Sequence, residues 1–254
     1  MVTQSAPTAE ARTAMTFLVE TSRRTKGLQL PHTFLREGSP PPLARIIRGG
    51  RGGEVRLKLY LTACLIAAAP PFEYSRPSPA ARWAEALSLP SPTKSGARRV
   101  SDAFTWLAEH KYLDVDRGRG RPPAFTLLSQ SLNGKEYVKP ANSYVPVPLA
   151  LWTSHWISVL SGVELAVYLA ILDGRGDDDV GTASPRFFTG DQRDEYCFAA
   201  DTWTRGTRQL VDHGLIAAES RVEGGPMLFR RNRKIYRVLE DALQSEPKWA
   251  VNTP

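Results

Sequence analysis

Residues 94–128, KSGARRVSDAFTWLAEHKYLDVDRGRGRPPAFTLL, decide the fold of this chain. Apolar side chains in the first half recur at the spacing i, i+3, i+4 and i+7, which places them on one face of a helix over about 94–110. These side chains are Val100, Ala103, Phe104 and Leu107. A strand over 112–116, a turn rich in arginine and glycine, and a returning strand over 124–128 are predicted to follow.

Two more helices are predicted upstream of this stretch. Residues 54–69 are mostly apolar and end at Pro70 and Pro71, which cannot continue a helix. Residues 79–87 form the second helix, with Pro79 near its first turn. The order helix, helix, helix, hairpin therefore defines a first unit over residues 53–130.

The first clear helix of a second unit begins at Ser161, which forms a capping-box pattern with Glu164. We expect helices over about 161–172, 189–195 and 201–212, followed by hairpin strands over 215–221 and 227–238. Gly206 lies inside the third helix, where glycine costs about 1 kcal/mol of helix propensity. A close approach of a neighbouring helix would explain that glycine.

The two units match at a constant offset of 103 residues. The matched pairs are Leu107 with Leu210, His110 with His213, and Leu113 with Ile216. In both units a helix ends in this pattern and passes directly into a strand, which indicates a recurring supersecondary unit.

The rest of the chain divides around these units. Residues 1–52 are rich in proline and glycine and predict a partly irregular N-terminal arm with a short helix from Ala9. Residues 131–143 are polar and predict a linker, residues 144–240 hold the second unit, and residues 241–254 form a tail. The predicted class is α+β, mainly α.

The charge of the chain favours polyanionic partners. Its 254 residues carry a net charge of +7 and a pI of about 9.6. A basic surface attracts nucleic acid or an anionic membrane face. The positions of the arginines decide between these partners.

The third helix of the first unit presents polar side chains opposite its apolar face. These candidate DNA contacts are Lys94, Arg98, Arg99, Ser101 and Thr105. Side chains of these types reach base edges and phosphates from the major groove. An ordinary solvated helix face remains the alternative.

The hairpin that follows alternates arginine with glycine, at Arg117, Arg119 and Arg121. The core 119–122 resembles the AT-hook, a minor-groove motif in which arginine is attracted by the negative potential of a narrow A·T-rich groove. A flexible solvated loop remains the alternative.

The second unit offers a similar but weaker set of candidate DNA contacts. They are Thr204, Arg205 and Arg208 on its third helix, and Arg230, Arg231 and Arg233 on its hairpin. The hairpin arginines would follow a phosphate backbone. They would equally suit the solvent face of an edge strand, where charges block aggregation.

The sequence argues against catalysis and membrane insertion. It contains no phosphate-binding glycine loop, nucleophile elbow or zincin motif, and we expect no enzyme, cofactor or metal. Its two cysteines, Cys64 and Cys197, are far apart and indicate a reducing compartment. With no export signal or sufficiently long apolar span, we expect a cytoplasmic, nucleoid-associated protein.

Residues 94–128 and 200–236 resemble the winged helix-turn-helix superfamily. The doubled arrangement is similar to plasmid replication initiators and to regulators of mobile elements and phages. The resemblance implies two tandem winged-helix domains that bind double-stranded DNA in replication initiation or transcriptional control. A winged-helix adaptor or scaffold for protein partners is the alternative. A homodimer stays open, and no small-molecule substrate is evident.

Overall fold

The computed structural model describes residues 5–48, 50, 52–76, 78–116, 122–174, 186–223 and 231–249. Within these residues helices predominate, and the strands form three small antiparallel sheets. The predicted α+β class, mainly α, is confirmed.

The N-terminal segment contains more regular structure than its proline and glycine content indicates. Its elements are α1 (Ala9–Ser22), β1 (Leu28–Pro31), α2 (His32–Arg36) and α3 (Pro42–Ile47). Leu30, Phe34, Leu35 and Leu43 are fully buried. The segment predicted as a partly irregular arm therefore contributes a substantial part of the core.

The first unit folds as helix, strand, two helices and two strands. Its elements are α4 (Gly53–Ile66), β2 (Glu73–Tyr74), α5 (Ala80–Ala86), α6 (Ala97–Glu109), β3 (Leu113–Asp116) and β4 (Ala124–Leu127). Strand β4 lies between β2 and β3, so the sheet order is β2-β4-β3.

A connecting segment leads to a second unit with the same order of elements. The connection contains β5 (Tyr144–Val147), α7 (Ala150–Thr153) and α8 (Trp156–Val159). The second unit contains α9 (Gly162–Asp173), β6 (Arg186–Phe187), α10 (Gly190–Glu195), α11 (Ala200–Asp212), β7 (Ile216–Glu223) and β8 (Arg231–Val238), and α12 (Glu240–Gln244) follows. Its sheet order, β6-β8-β7, repeats that of the first unit.

Helix α6 begins later than the sequence pattern predicts. Residues Pro92–Gly96 form a π-helical turn, and the regular helix starts at Ala97. A Cβ atom at Gly96 would lie only 3.0 Å from the carbonyl oxygen of Pro90, so the tight turn leaves little room for a larger residue at this position. Lys94 therefore lies in the turn rather than in the helix.

Local capping explains where two helices of the second unit begin. The Ser161 hydroxyl accepts from the Glu164 amide, and the Glu164 carboxylate accepts from the Ser161 amide at 2.6 Å. This confirms the predicted capping box. Thr189 and Gln192 form a second capping box that starts α10, close to the predicted position.

One continuous hydrophobic core joins both units and the N-terminal segment. Helices α4 and α9 pack against each other, α6 packs on α4, and α11 packs on α9. A Cβ atom at Gly206 would lie 2.7 Å from Cγ2 of Val167, so the predicted close approach of a helix to this glycine is confirmed. The core therefore fixes the position of α6 relative to α11.

Candidate nucleic-acid interface

Helix α6 has one buried face and one polar exposed face. Val100, Ala103, Phe104 and Leu107 are buried, as the sequence pattern predicts. The exposed residues include Lys94 in the preceding turn and Arg98, Arg99, Ser101 and Asp102 in the helix. Four of the five predicted contact residues of this helix region are thus accessible to a ligand.

The charged residues of this face are only weakly held by each other. The Arg98 guanidinium lies 3.9 Å from the Asp102 carboxylate, and the two side chains are 85% and 73% exposed. Such an exposed pair contributes little to stability. A phosphate or a base edge could therefore replace Asp102 as the partner of Arg98 at small cost.

Thr105, the fifth predicted contact, is less available. It is half-buried, and its hydroxyl donates to the Ser101 carbonyl at 2.9 Å. Back-bonding of this kind turns the hydroxyl toward its own helix. Ser101 is therefore the better placed hydroxyl on this face.

Two arginines that the sequence prediction missed, Arg48 and Arg56, lie beside α6. The Arg56 guanidinium stacks on the Trp106 ring at 4.5 Å from the centroid and donates to the Arg48 carbonyl at 3.3 Å. Arg56 and Arg99 line an open cleft of about 530 Å³, together with Gly52, Asp102 and Ala103. Burial lowers the pKa of Arg56, but an arginine stays charged in a protein.

The loop before α4 connects this cleft to the second unit. The Arg48 guanidinium donates to the carbonyl of Cys197, in the turn between α10 and α11. The signal in the sequence was the run RGGRGG at 48–53, which proline and glycine content alone assigned to the arm. The structure instead places Arg56 against α6 and Arg48 against the turn before α11.

Helix α11 repeats the division of α6 into two faces. Trp203, Gly206, Thr207 and Leu210 are buried. The predicted contacts Thr204, Arg205 and Arg208 are exposed, as is Asp201. This face is also polar and carries both signs of charge.

The hairpin of the first unit is described only in part. Strands β3 and β4 pair from Leu113 with Leu127 to Asp116 with Ala124. The predicted contacts Arg117, Arg119 and Arg121 lie outside the described residues. The pairing confirms that these residues connect two antiparallel strands.

The hairpin of the second unit places one predicted arginine against an aromatic ring. The Arg233 guanidinium lies 4.2 Å from the centroid of Phe187 on β6. Arg230 lies outside the described residues, and only the backbone of Arg231 is described, in β8. Arg233 therefore packs on its own sheet through a cation–π contact.

Buried polar groups in the described part of the chain connect helices to one another. The Lys58 ammonium donates to the Glu54 carboxylate at 2.8 Å and to the Ser158 carbonyl at 3.0 Å. The Tyr196 hydroxyl donates to Asp173 at 2.6 Å, and His32 contacts the same carboxylate. Their partners are other side chains or the backbone, which suits a structural role.

Opposing effects act on the pKa of the buried carboxylate of Glu164. Burial would raise its pKa, but hydrogen bonds from His213 and Ser161 outweigh burial and hold the pKa below its ordinary value. Glu164 Oε1 lies 2.9 Å from Nε2 of His213, at the end of α11. The carboxylate thus fixes α11 on α9.

The residues that the structure describes contain no helix that is long and apolar enough to cross a membrane. They also contain no group of three or more histidine, cysteine or acidic residues that could hold a metal ion. Comparison with protein-family models, with curated proteins and with solved structures found no match for this chain.

Proposed function

We propose that this chain is a sequence-specific double-stranded DNA-binding protein built from two winged helix-turn-helix units. One observation carries the proposal. The order helix, strand, helix, helix, strand, strand occurs in both units. In each of the two sheets the third strand lies between the first and the second. In both units the third helix exposes a polar face. In a winged helix, that third helix enters the major groove.

The spacing of the two third helices supports simultaneous contact with one duplex. Helix α6 packs on α4, α4 packs on α9, and α9 packs on α11. Axes of packed helices lie about 8–10 Å apart, so three successive contacts separate α6 from α11 by at most about 24–30 Å. Half-sites on one face of B-DNA are about 34 Å apart, one helical turn. The two distances are comparable.

The proposed biological role is replication initiation or transcriptional control of a plasmid or phage-type element. Arginines around α6 supply the electrostatic part of binding, since Arg98 and Arg99 are exposed and Arg48 and Arg56 lie beside them. A nucleoid location would follow from this binding.

The test is the binding of the full chain to genomic duplex fragments at several salt concentrations. Log K should fall linearly with log salt, and some fragments should bind tighter than random duplex. Arg98→Ala with Arg99→Ala should weaken binding about tenfold or more, since one bidentate base contact is worth ~1–3 kcal/mol.

A matched control removes the same charge elsewhere. Lys26→Ala with Lys139→Ala alters two exposed cations near β1 and β5, away from α6, and should leave the preference for specific fragments unchanged. A salt-independent affinity, or equal binding of all duplexes, would refute sequence-specific DNA binding. No measurable binding to any duplex would favour the alternative, an adaptor for protein partners.

A further inference from the structure

The repeat in this chain begins well before the helices of the two units. Strand β1 is followed by α2, α3 and α4, and β5 is followed by α7, α8 and α9. Residues 28–35 match the residues 117 positions later. The matched buried pairs are Leu28 with Val145, Leu30 with Val147, Phe34 with Leu151, and Leu35 with Trp152.

Strands β1 and β5 pair with each other in a self-symmetric register. Leu28 is opposite Val147 and Leu30 is opposite Val145, with Gln29 opposite Pro146 between them. Leu28 thus faces Val147, the match of Leu30, and Leu30 faces Val145, the match of Leu28. A two-fold rotation through Gln29 and Pro146 therefore exchanges the strands, as in an isologous interface.

The short helices α2 and α7 follow the same two-fold relation. Helix α2 of the first repeat packs on α9 of the second, where His32 contacts Asp173. Helix α7 of the second repeat reaches α4 of the first, where the Trp152 indole N–H donates to Thr62 Oγ1 at 3.0 Å. Each repeat thus lays its own short helix on the long helix of the other.

The next pair of short helices is also exchanged. Helix α3 packs on α9 as well as on α4 of its own repeat. Its counterpart α8 reaches α4, where the carbonyl of Ser158 accepts from Lys58. Reciprocal contact of this kind is the signature of two-fold symmetry rather than of translation along the chain.

The N-termini of α4 and α9 meet away from this strand pair. A Cβ atom at Gly162 would lie 2.9 Å from the Cα of Glu54, so the first turns of the two helices touch. The Arg48 and Arg56 contacts described above place α6 and the turn before α11 next to this end. Both third helices are thus near the same end of the symmetry axis.

We infer that the chain is a two-fold dimer joined into one polypeptide, and that its DNA target is an inverted repeat of two unlike half-sites. This inference rests on the proposed function and adds the symmetry of the target to it. When two reading helices are related by a two-fold axis, their half-sites run in opposite directions along the duplex.

The half-sites differ because the two exposed helix faces differ. At the offset of 103, Arg98 corresponds to Asp201 and Asp102 corresponds to Arg205, so the order of charge along the helix is reversed. Arg99 corresponds to Thr202, Ser101 to Thr204 and Thr105 to Arg208. Each helix therefore presents its donors to a different set of bases.

The experiment selects binding sequences from a random duplex pool with two forms of the full chain. The first is the natural chain. The second carries R98D, R99T, S101T, D102R and T105R, which give α6 the exposed residues of α11. The natural chain should select two unlike half-sites. The substituted chain should select one half-site twice, in inverted orientation, with centres about 10 bp apart.

The outcomes separate the inference from the proposed function. Two copies of the half-site in the same orientation from the substituted chain would overturn the inference and leave DNA binding intact. No enrichment with the natural chain would overturn both. Four of the five substituted positions are exposed, and a circular-dichroism melt within a few degrees of the natural chain shows that the substituted chain is folded. If it is not folded, a chain with R98D and D102R alone should still make the two selected half-sites more alike when inverted.

Discussion

Gly206 shows how a single residue sets the distance between two helices. It lies in the middle of α11, where a side chain would collide with Val167 of α9. The sequence marked this position because glycine is unfavourable inside a helix, and the close helix approach inferred from it is confirmed. Thr207 beside it is buried, and its hydroxyl donates to the Trp203 carbonyl at 2.9 Å, which shields a polar group at the same helix–helix interface.

Gly206→Ala should destabilise the protein although it improves helix propensity. The gain in propensity is about 1 kcal/mol, while forcing a methyl group into a packed interface costs about 1–3 kcal/mol. We expect a net destabilisation of roughly 1 kcal/mol in urea denaturation. Gly190→Ala, where nothing lies within 4 Å of the added carbon, is the control and should not be destabilised. Equal stability of both variants would contradict this account of Gly206.

Glu164 makes stability depend on pH in a defined direction. Its pKa is held below the ordinary value in the folded chain, so its contribution is present above the unfolded pKa of about 4.3 and disappears as pH falls through the folded pKa. Glu164→Gln should therefore lower the urea midpoint at pH 7, and its deficit should shrink toward pH 3. The exposed Glu109→Gln is the matched control. A deficit that is independent of pH would mean that the ionised carboxylate is not the source of the stabilisation.

At the scale of elements, local sequence signals were sufficient to locate helices. They could not reveal pairings between strands that are distant along the chain. Capping residues, apolar periodicity and turn residues located α4, α6, α9 and α11 to within a few residues, because those signals act along the chain. Strands β1 and β5 lie more than 100 residues apart and contain prolines, so nothing local indicates that they pair. The same reasoning applies to Arg48 and Arg56, whose role depends on where a distant turn packs.

The hairpin between β3 and β4 is expected to add binding to A·T-rich DNA. Arg119→Ala with Arg121→Ala should reduce affinity most for duplexes with A·T-rich flanks, because arginine is favoured in a narrow minor groove. The slope of log K against log salt should fall by roughly 1 for each arginine that no longer neutralises a phosphate. Lys135→Ala with Lys139→Ala, two exposed cations of the predicted linker, is the matched control. An equal reduction on G·C-rich and A·T-rich flanks would argue against minor-groove contact.

At the scale of the whole molecule, the boundary between the units runs through shared structure. The predicted linker separates them along the chain, yet β1 pairs with β5 and Trp152 of the second repeat is buried against Thr62 of the first. Each repeat completes the core of the other. Local sequence patterns located the long helices of both repeats, but they could not show that the repeats interpenetrate.

Cutting the chain in the segment 131–143 should therefore give fragments that do not fold alone. Residues 1–136 and 137–254, produced separately, should show poor amide dispersion in NMR spectra and no cooperative thermal transition. Mixing the two fragments should restore both, since the contacts between them form one hydrophobic core. Native-like spectra from either fragment alone would show that the units are independent.

The self-symmetric pairing of β1 with β5 also has a consequence when a cell contains few molecules of this protein. An ordinary dimer dissociates on dilution, so its occupancy of DNA depends steeply on how much protein a cell contains. Two halves on one polypeptide meet at a fixed effective concentration instead. If the chain binds DNA as proposed, its occupancy of DNA would then depend on protein abundance in a simple, first-order way. Because the halves are unlike, each bound molecule would also face one defined way along the duplex.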